Sequence, residues 1–136
     1  MKYGIYAPYW THEWTSDYEY FIPKVKKLGF DCFAVCENLK RITLPEGLLE
    51  IERGVFFNCF ALEKITIPAS VIDIHEFAFF HCKSLKNVYM HCTEPPIVSR
   101  IFMDNHPEMI IHVPAESVNA YLNAEHWREQ NIVGDL

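Results

Sequence analysis

From Leu39 onward the apolar residues return at a fixed interval. The stretch 39-LKRITLPEGLLEIERGVFFNCFA-61 lies over 62-LEKITIPASVIDIHEFAFFHCKS-84 without a gap, a period of 23 residues. Leu39, Ile42, Leu44 and Pro45 fall on Leu62, Ile65, Ile67 and Pro68. Leu48, Ile51, Val55, Phe56 and Cys59 fall on Val71, Ile74, Ala78, Phe79 and Cys82. Two looser units follow: Leu85, Val88, Met90, Ile97 and Phe102 continue the columns with Asn105 in the cysteine place, then Ile111, Val113 and Pro114 repeat the strand.

Within each unit the LxxIxI segment alternates, which predicts a short strand with one face inward. The proline after it ends the strand, and a second apolar set returns on the other side. One unit cannot bury its own apolar face, so the units must stack into a solenoid. Leu62, Ile65, Ile67, Ile74, Phe79 and Cys82 are then expected in one core, with Phe56 stacked on Phe79. Cys59 and Cys82 pack as small hydrophobes in a ladder. Glu94-Pro95-Pro96 breaks the third unit and predicts an irregular loop there. A helix from about Ala115 to Ala124 is expected to lay Tyr121, Leu122 and Trp127 over the last strand.

Residues 1–38 do not carry the full repeat. Residues 2–7 read as a strand. Tyr20, Phe21, Val25 and Leu28 lie near helical spacing, Ser16 or Asp17 supplies a cap, and Gly29 suits the residue after the helix. Residues 30–35 read as a second strand. The pattern predicts a β-α-β unit, with a helix over about 17–28, and such a unit suits the open end of a solenoid as a cap. The expected fold is therefore α+β: a short solenoid of 23-residue units (residues 36–114), an N-terminal β-α-β cap (1–35), and a C-terminal cap helix and tail (115–136).

Composition narrows the function. The chain has 136 residues, half of them apolar, with 12 Lys and Arg against 18 Asp and Glu, a net charge of −6. That balance argues against a general nucleic-acid partner. No run approaches the ~20 apolar residues of a membrane helix. The N-terminus shows no secretory signal, which points to the cytoplasm. Five cysteines, an odd number without an export signal, predict free thiols rather than a disulfide framework.

The pattern LxxIxIPxxVxxIxxxAFxxCxxL resembles the BspA-like leucine-rich repeats over about residues 36–134. The ending 112-HVPAESVNAYLNAEHWREQNIV-133 is similar to the close of such arrays, and Glu52 and His75 stand where the family often has Gly. This resemblance implies a leucine-rich-repeat solenoid, a protein-binding role, and relatives that are often found at the cell surface. MKYGIYAPYWTHEW and KVKKLGFD, over about residues 1–35, resemble the opening βα unit of the ketose 3-epimerases of the D-psicose/D-tagatose type. That family is a TIM barrel with a divalent metal held by later strands. The resemblance gives Tyr6 and Trp14 a place lining a sugar pocket, but the family's metal ligands have no counterpart in the rest of this chain.

His12-Glu13, His75-Glu76, His81-Cys82 and His91-Cys92 each pair two metal-ligating side chains. Neighbours on a strand point to opposite faces, so such dyads do not share a metal readily, and neither metal nor cofactor is expected. No GxSxG, phosphate loop or HExxH is present, so no catalytic residue is assigned. The non-core strand positions line the concave face. Its columns run Lys40, Glu63, Lys86, Met109; Arg41, Lys64, Asn87, Ile110; and Thr43, Thr66, Tyr89, His112. Lys40, Arg41, Lys64 and Lys86, with Tyr89 and His112, form a candidate binding strip that is basic in an acidic chain. The reading is a non-enzymatic protein–protein interaction module without a named partner. Two alternatives stand beside it: a relic of a sugar 3-epimerase or isomerase, and a fusion with no selected function. An imperfect N-terminal cap predicts pairing with a second copy through that end.

Overall fold

In the computed structural model the described residues are Tyr20, Phe21 and 25–136. They form a coil of two parallel sheets. One sheet has the order β1-β3-β5-β7-β9-β10: β1 is Tyr20–Phe21, β3 Ile42–Thr43, β5 Lys64–Ile67, β7 Asn87–Met90, β9 Ile110–Val113 and β10 Ile132–Gly134. The other has the order β2-β4-β6-β8: β2 is Lys27–Leu28, β4 Glu50–Ile51, β6 Asp73–Ile74 and β8 Ile97–Val98. The strand registers carry the sequence period directly. Lys64 lies beside Asn87 and Asn87 beside Ile110; on the other sheet Glu50 lies beside Asp73.

The core fills the space between the sheets. Leu62, Ile65, Ile67, Ile74, Phe79 and Cys82 are all buried, as the period predicts. Phe33, Phe56, Phe79 and Phe102 stack in one column with ring centroids 5.2–5.6 Å apart. Beside it the Cys59 thiol donates to the Phe33 carbonyl and the Cys82 thiol to the Phe56 carbonyl, each at 3.2 Å. Asn105 closes that ladder, its Oδ1 accepting from the Cys82 amide at 3.0 Å. All five thiols are free and buried. Burial pushes Cys32 and Cys82 up to about 12 and Cys92 up to about 11. None is an activated nucleophile.

At the N-terminal end the structure corrects the sequence reading. Tyr20–Phe21 and Lys27–Leu28 are strands of the two sheets, not parts of a helix over 17–28. Residues 30–35 are turns rather than a strand. This stretch is a further turn of the coil. Leu28, Phe33 and Cys36 are buried in register with Ile51, Phe56 and Cys59, and the Phe33 and Val35 amides donate to the Val55 and Phe57 carbonyls. The physical reason is burial: the first full turn needs an apolar neighbour, and these side chains supply one. The strand expected over 2–7 lies outside the described residues.

Three smaller corrections concern the C-terminal half. Glu94-Pro95-Pro96 does not abolish the coil. It adds one residue, so β8 pairs with β6 as Asp73 with Ile97, and Val98 instead of Ile97 turns inward. The C-terminal helix is a 3-10 turn (Ala115–Ser117) followed by α1 (Val118–Asn123). It buries Tyr121, and Trp127 lies just beyond it, but Leu122 stays exposed. Met109 is buried, not on the outer face.

Candidate functional site

The outward face of the six-stranded sheet is built by alternation. Along β5, Ile65 and Ile67 point in and Lys64 and Thr66 point out. The neighbouring strands repeat this, placing Thr43 beside Thr66, Thr66 beside Tyr89 and Tyr89 beside His112. A groove of about 420 Å³ runs over this face, with Arg41, Thr43, Glu46, Lys64, Thr66 and Tyr89 among its walls. Two cations, two hydroxyls and a phenol thus converge beside a single wall carboxylate, Glu46.

Of the six residues predicted for the strip, the structure brings Arg41, Lys64 and Tyr89 together in this groove. Lys40 and Lys86 are exposed one position earlier in their turns and do not line it. His112 has a different task. Its ring stacks on Tyr89 with centroids 4.6 Å apart. Its Nδ1 meets the Asp135 carboxylate at 2.9 Å and its Nε2 meets Asn87 Oδ1 at 2.9 Å. It joins β7, β9 and the C-terminal tail and fixes the Tyr89 ring against the groove. Tyr6 and Trp14 lie outside the described residues.

Sequence reasoning missed a second cluster, on the outward face of the four-stranded sheet. Glu50, Glu52 and His75 place one ligand atom each within 4.8 Å of one another. Lys27 lies between the two glutamates, its Nζ at 2.8 Å from Glu50 Oε2 and ion-paired with Glu52 as well. The signal was present in the sequence. Glu50 and Glu52 are two apart at the end of β4, and Glu52 and His75 differ by the repeat period.

A coil of two parallel sheets with an internal ladder and a groove on its longer sheet defines a leucine-rich-repeat protein. The family description "BspA type Leucine rich repeat region" matches residues 14–122 in six copies, and the chain belongs to that family. The match begins well before residue 36, in agreement with the additional N-terminal turn. The chain is also similar to D-psicose 3-epimerases. It is 47% identical to that of Enterocloster bolteae over 53 residues, which is 38% of this chain and 18% of the relative. It is 57% identical to that of Ruminiclostridium cellulolyticum over 38 residues, 28% of this chain and 13% of the relative. The Agrobacterium fabrum enzyme is 54% identical over a stretch of the same length and shares. This chain therefore spans less than a fifth of the length of these curated relatives. Among the described residues no helix is long and apolar enough to cross a membrane.

Proposed function

We propose that this chain is a non-enzymatic protein-interaction module whose groove on the six-stranded sheet receives an acidic, extended segment of a partner protein. The observation that carries this reading is the convergence of Arg41 and Lys64 with Tyr89 in one groove, on a chain whose net charge is −6. Charge of the opposite sign to the rest of the surface steers an acidic segment to that place. Tyr89, held by His112, offers a rigid aromatic contact at low entropic cost. The buried free thiols suit a reducing compartment such as the cytoplasm.

Titrating the full-length protein into a fluorescent peptide rich in Glu and Asp tests this. Saturable binding that weakens with salt is expected, and Arg41→Glu with Lys64→Glu should lower the affinity by about tenfold or more. Equal affinity of the native and charge-reversed proteins, or equal binding of a Lys-rich peptide, overturns it.

The second reading, an epimerase relic, is favoured by the identity to D-psicose 3-epimerases over short segments. A complete barrel takes about 250 residues, and the described residues are committed to the coil. No turnover of D-fructose or D-tagatose is expected with manganese or cobalt present; measured turnover would establish the epimerase reading instead.

A further inference from the structure

Strand alternation puts Glu50 and Glu52 on one face of the β4 strand line, and Asp73 and His75 on the same face of the β6 line. Glu50 is paired with Asp73 and Ile51 with Ile74, so the four side chains form a rectangle with Glu52 beside His75. Three of its corners are carboxylates. The one Lys or Arg ion-paired with them among the described residues is Lys27, so two negative charges stay uncompensated.

The imidazole adds to this. The His75 side chain is 38% exposed, but its Nε2 is itself shut off from solvent and has no hydrogen-bond partner. It faces Glu50 Oε2 at 3.9 Å and Asp73 Oδ2 at 3.8 Å, both too long for a hydrogen bond. A buried polar atom without a partner is costly, and a cation between the imidazole and the carboxylates would satisfy it. Lys27 already shows that this position takes a cation: hydrogen bonds from its ammonium to Glu50 and Glu52 hold its pKa above the usual range. Its side chain is 44% exposed, so the stem can swing into solvent when another cation arrives.

We propose that Glu50, Glu52 and His75 form a surface site for a divalent transition-metal cation such as zinc, with Asp73 beside them and Lys27 as the tethered ammonium that the metal displaces. One imidazole nitrogen with carboxylate oxygens is a donor set suited to such borderline ions rather than to calcium or magnesium. Tetrahedral ligands at metal distances of about 2.1 Å stand roughly 3.4 Å apart. Ligand atoms within 4.8 Å of one another need to close by no more than about 1.4 Å to reach that spacing. The site lies on the other sheet from the peptide groove and is independent of that reading.

The test is calorimetric titration of the full-length protein with zinc chloride, at neutral pH and with a non-thiol reductant. One saturable site is expected. His75→Ala and Glu52→Gln should each weaken it by about tenfold or more, whereas Lys27→Met should tighten it by removing the competing ammonium. Because Lys27→Met retains every ligand, it keeps the test alive even if a ligand variant fails to fold. Cobalt should give a spectrum without a thiolate charge-transfer band, since the thiols are buried and protonated. No saturable binding, binding unchanged in His75→Ala, binding weakened by Lys27→Met, or a thiolate band would each overturn the proposal.

Discussion

Two residues in each of four successive turns of the coil adopt the left-handed backbone conformation. Asp31, Gly54, Phe77 and Arg100 form one column, and Val35, Asn58, His81 and Asp104 the other, with φ between +49° and +68°. Each column repeats at the sequence period, so the conformation belongs to the coil and not to any one side chain. Asparagine and glycine accept it readily, whereas a β-branched residue is strained there. Val35 is that residue, and at 45% exposure it gains little from burial. Val35→Asn should therefore stabilise the protein by about 1 kcal/mol, read as a higher urea midpoint at unchanged slope. A lower midpoint would contradict this account of the column. The apolar columns were legible in the sequence because burial selects one chemistry. The left-handed columns were not, because Phe77, Arg100 and Val35 interrupt the Gly, Asn, Asp and His that favour this conformation, and there the turn's geometry alone selects it.

At the scale of elements, the N-terminal stretch shows how one pattern serves two structures. Tyr20, Phe21, Val25 and Leu28 lie near the spacing of an amphipathic helix. Val25 and Leu28, followed by Cys32, Phe33, Cys36 and Leu39, also sit one period before Leu48, Ile51, Val55, Phe56, Cys59 and Leu62. Local spacing favoured the helix; packing against the next turn decided for the coil, because tertiary burial outweighs propensity. The C-terminal cap was read more fully, since its aromatic residues have no other place to go. Trp127 is 1% exposed, donates from Nε1 to the Pro96 carbonyl at 2.8 Å, and meets Tyr121 and Phe102 edge-on. Tyr121 donates to the Cys92 carbonyl at 2.9 Å. Trp127→Ala should cost about 3–5 kcal/mol in chemical denaturation. A loss below about 1 kcal/mol would mean that the last turn needs no cap.

For the whole molecule, the groove was half legible. The period placed Arg41, Lys64 and Tyr89 on one face, but it could not tell that Lys40 and Lys86 stand outside the groove or that His112 is engaged by Asp135 and Asn87. Those facts depend on where each turn enters its strand and on where the tail folds back. The glutamate–histidine cluster arises from the same period read across strands. The central claim is that the coil extends into the stretch read from sequence as a helix, so that this part of the chain serves the solenoid and not a barrel. Nuclear Overhauser contacts in the full-length protein test it most directly. The account predicts backbone contacts between Lys27 and Glu50 and between Leu28 and Ile51, as the parallel pairing requires. An unbroken run of helical amide contacts through residues 20–28, with those cross-strand contacts absent, would contradict it.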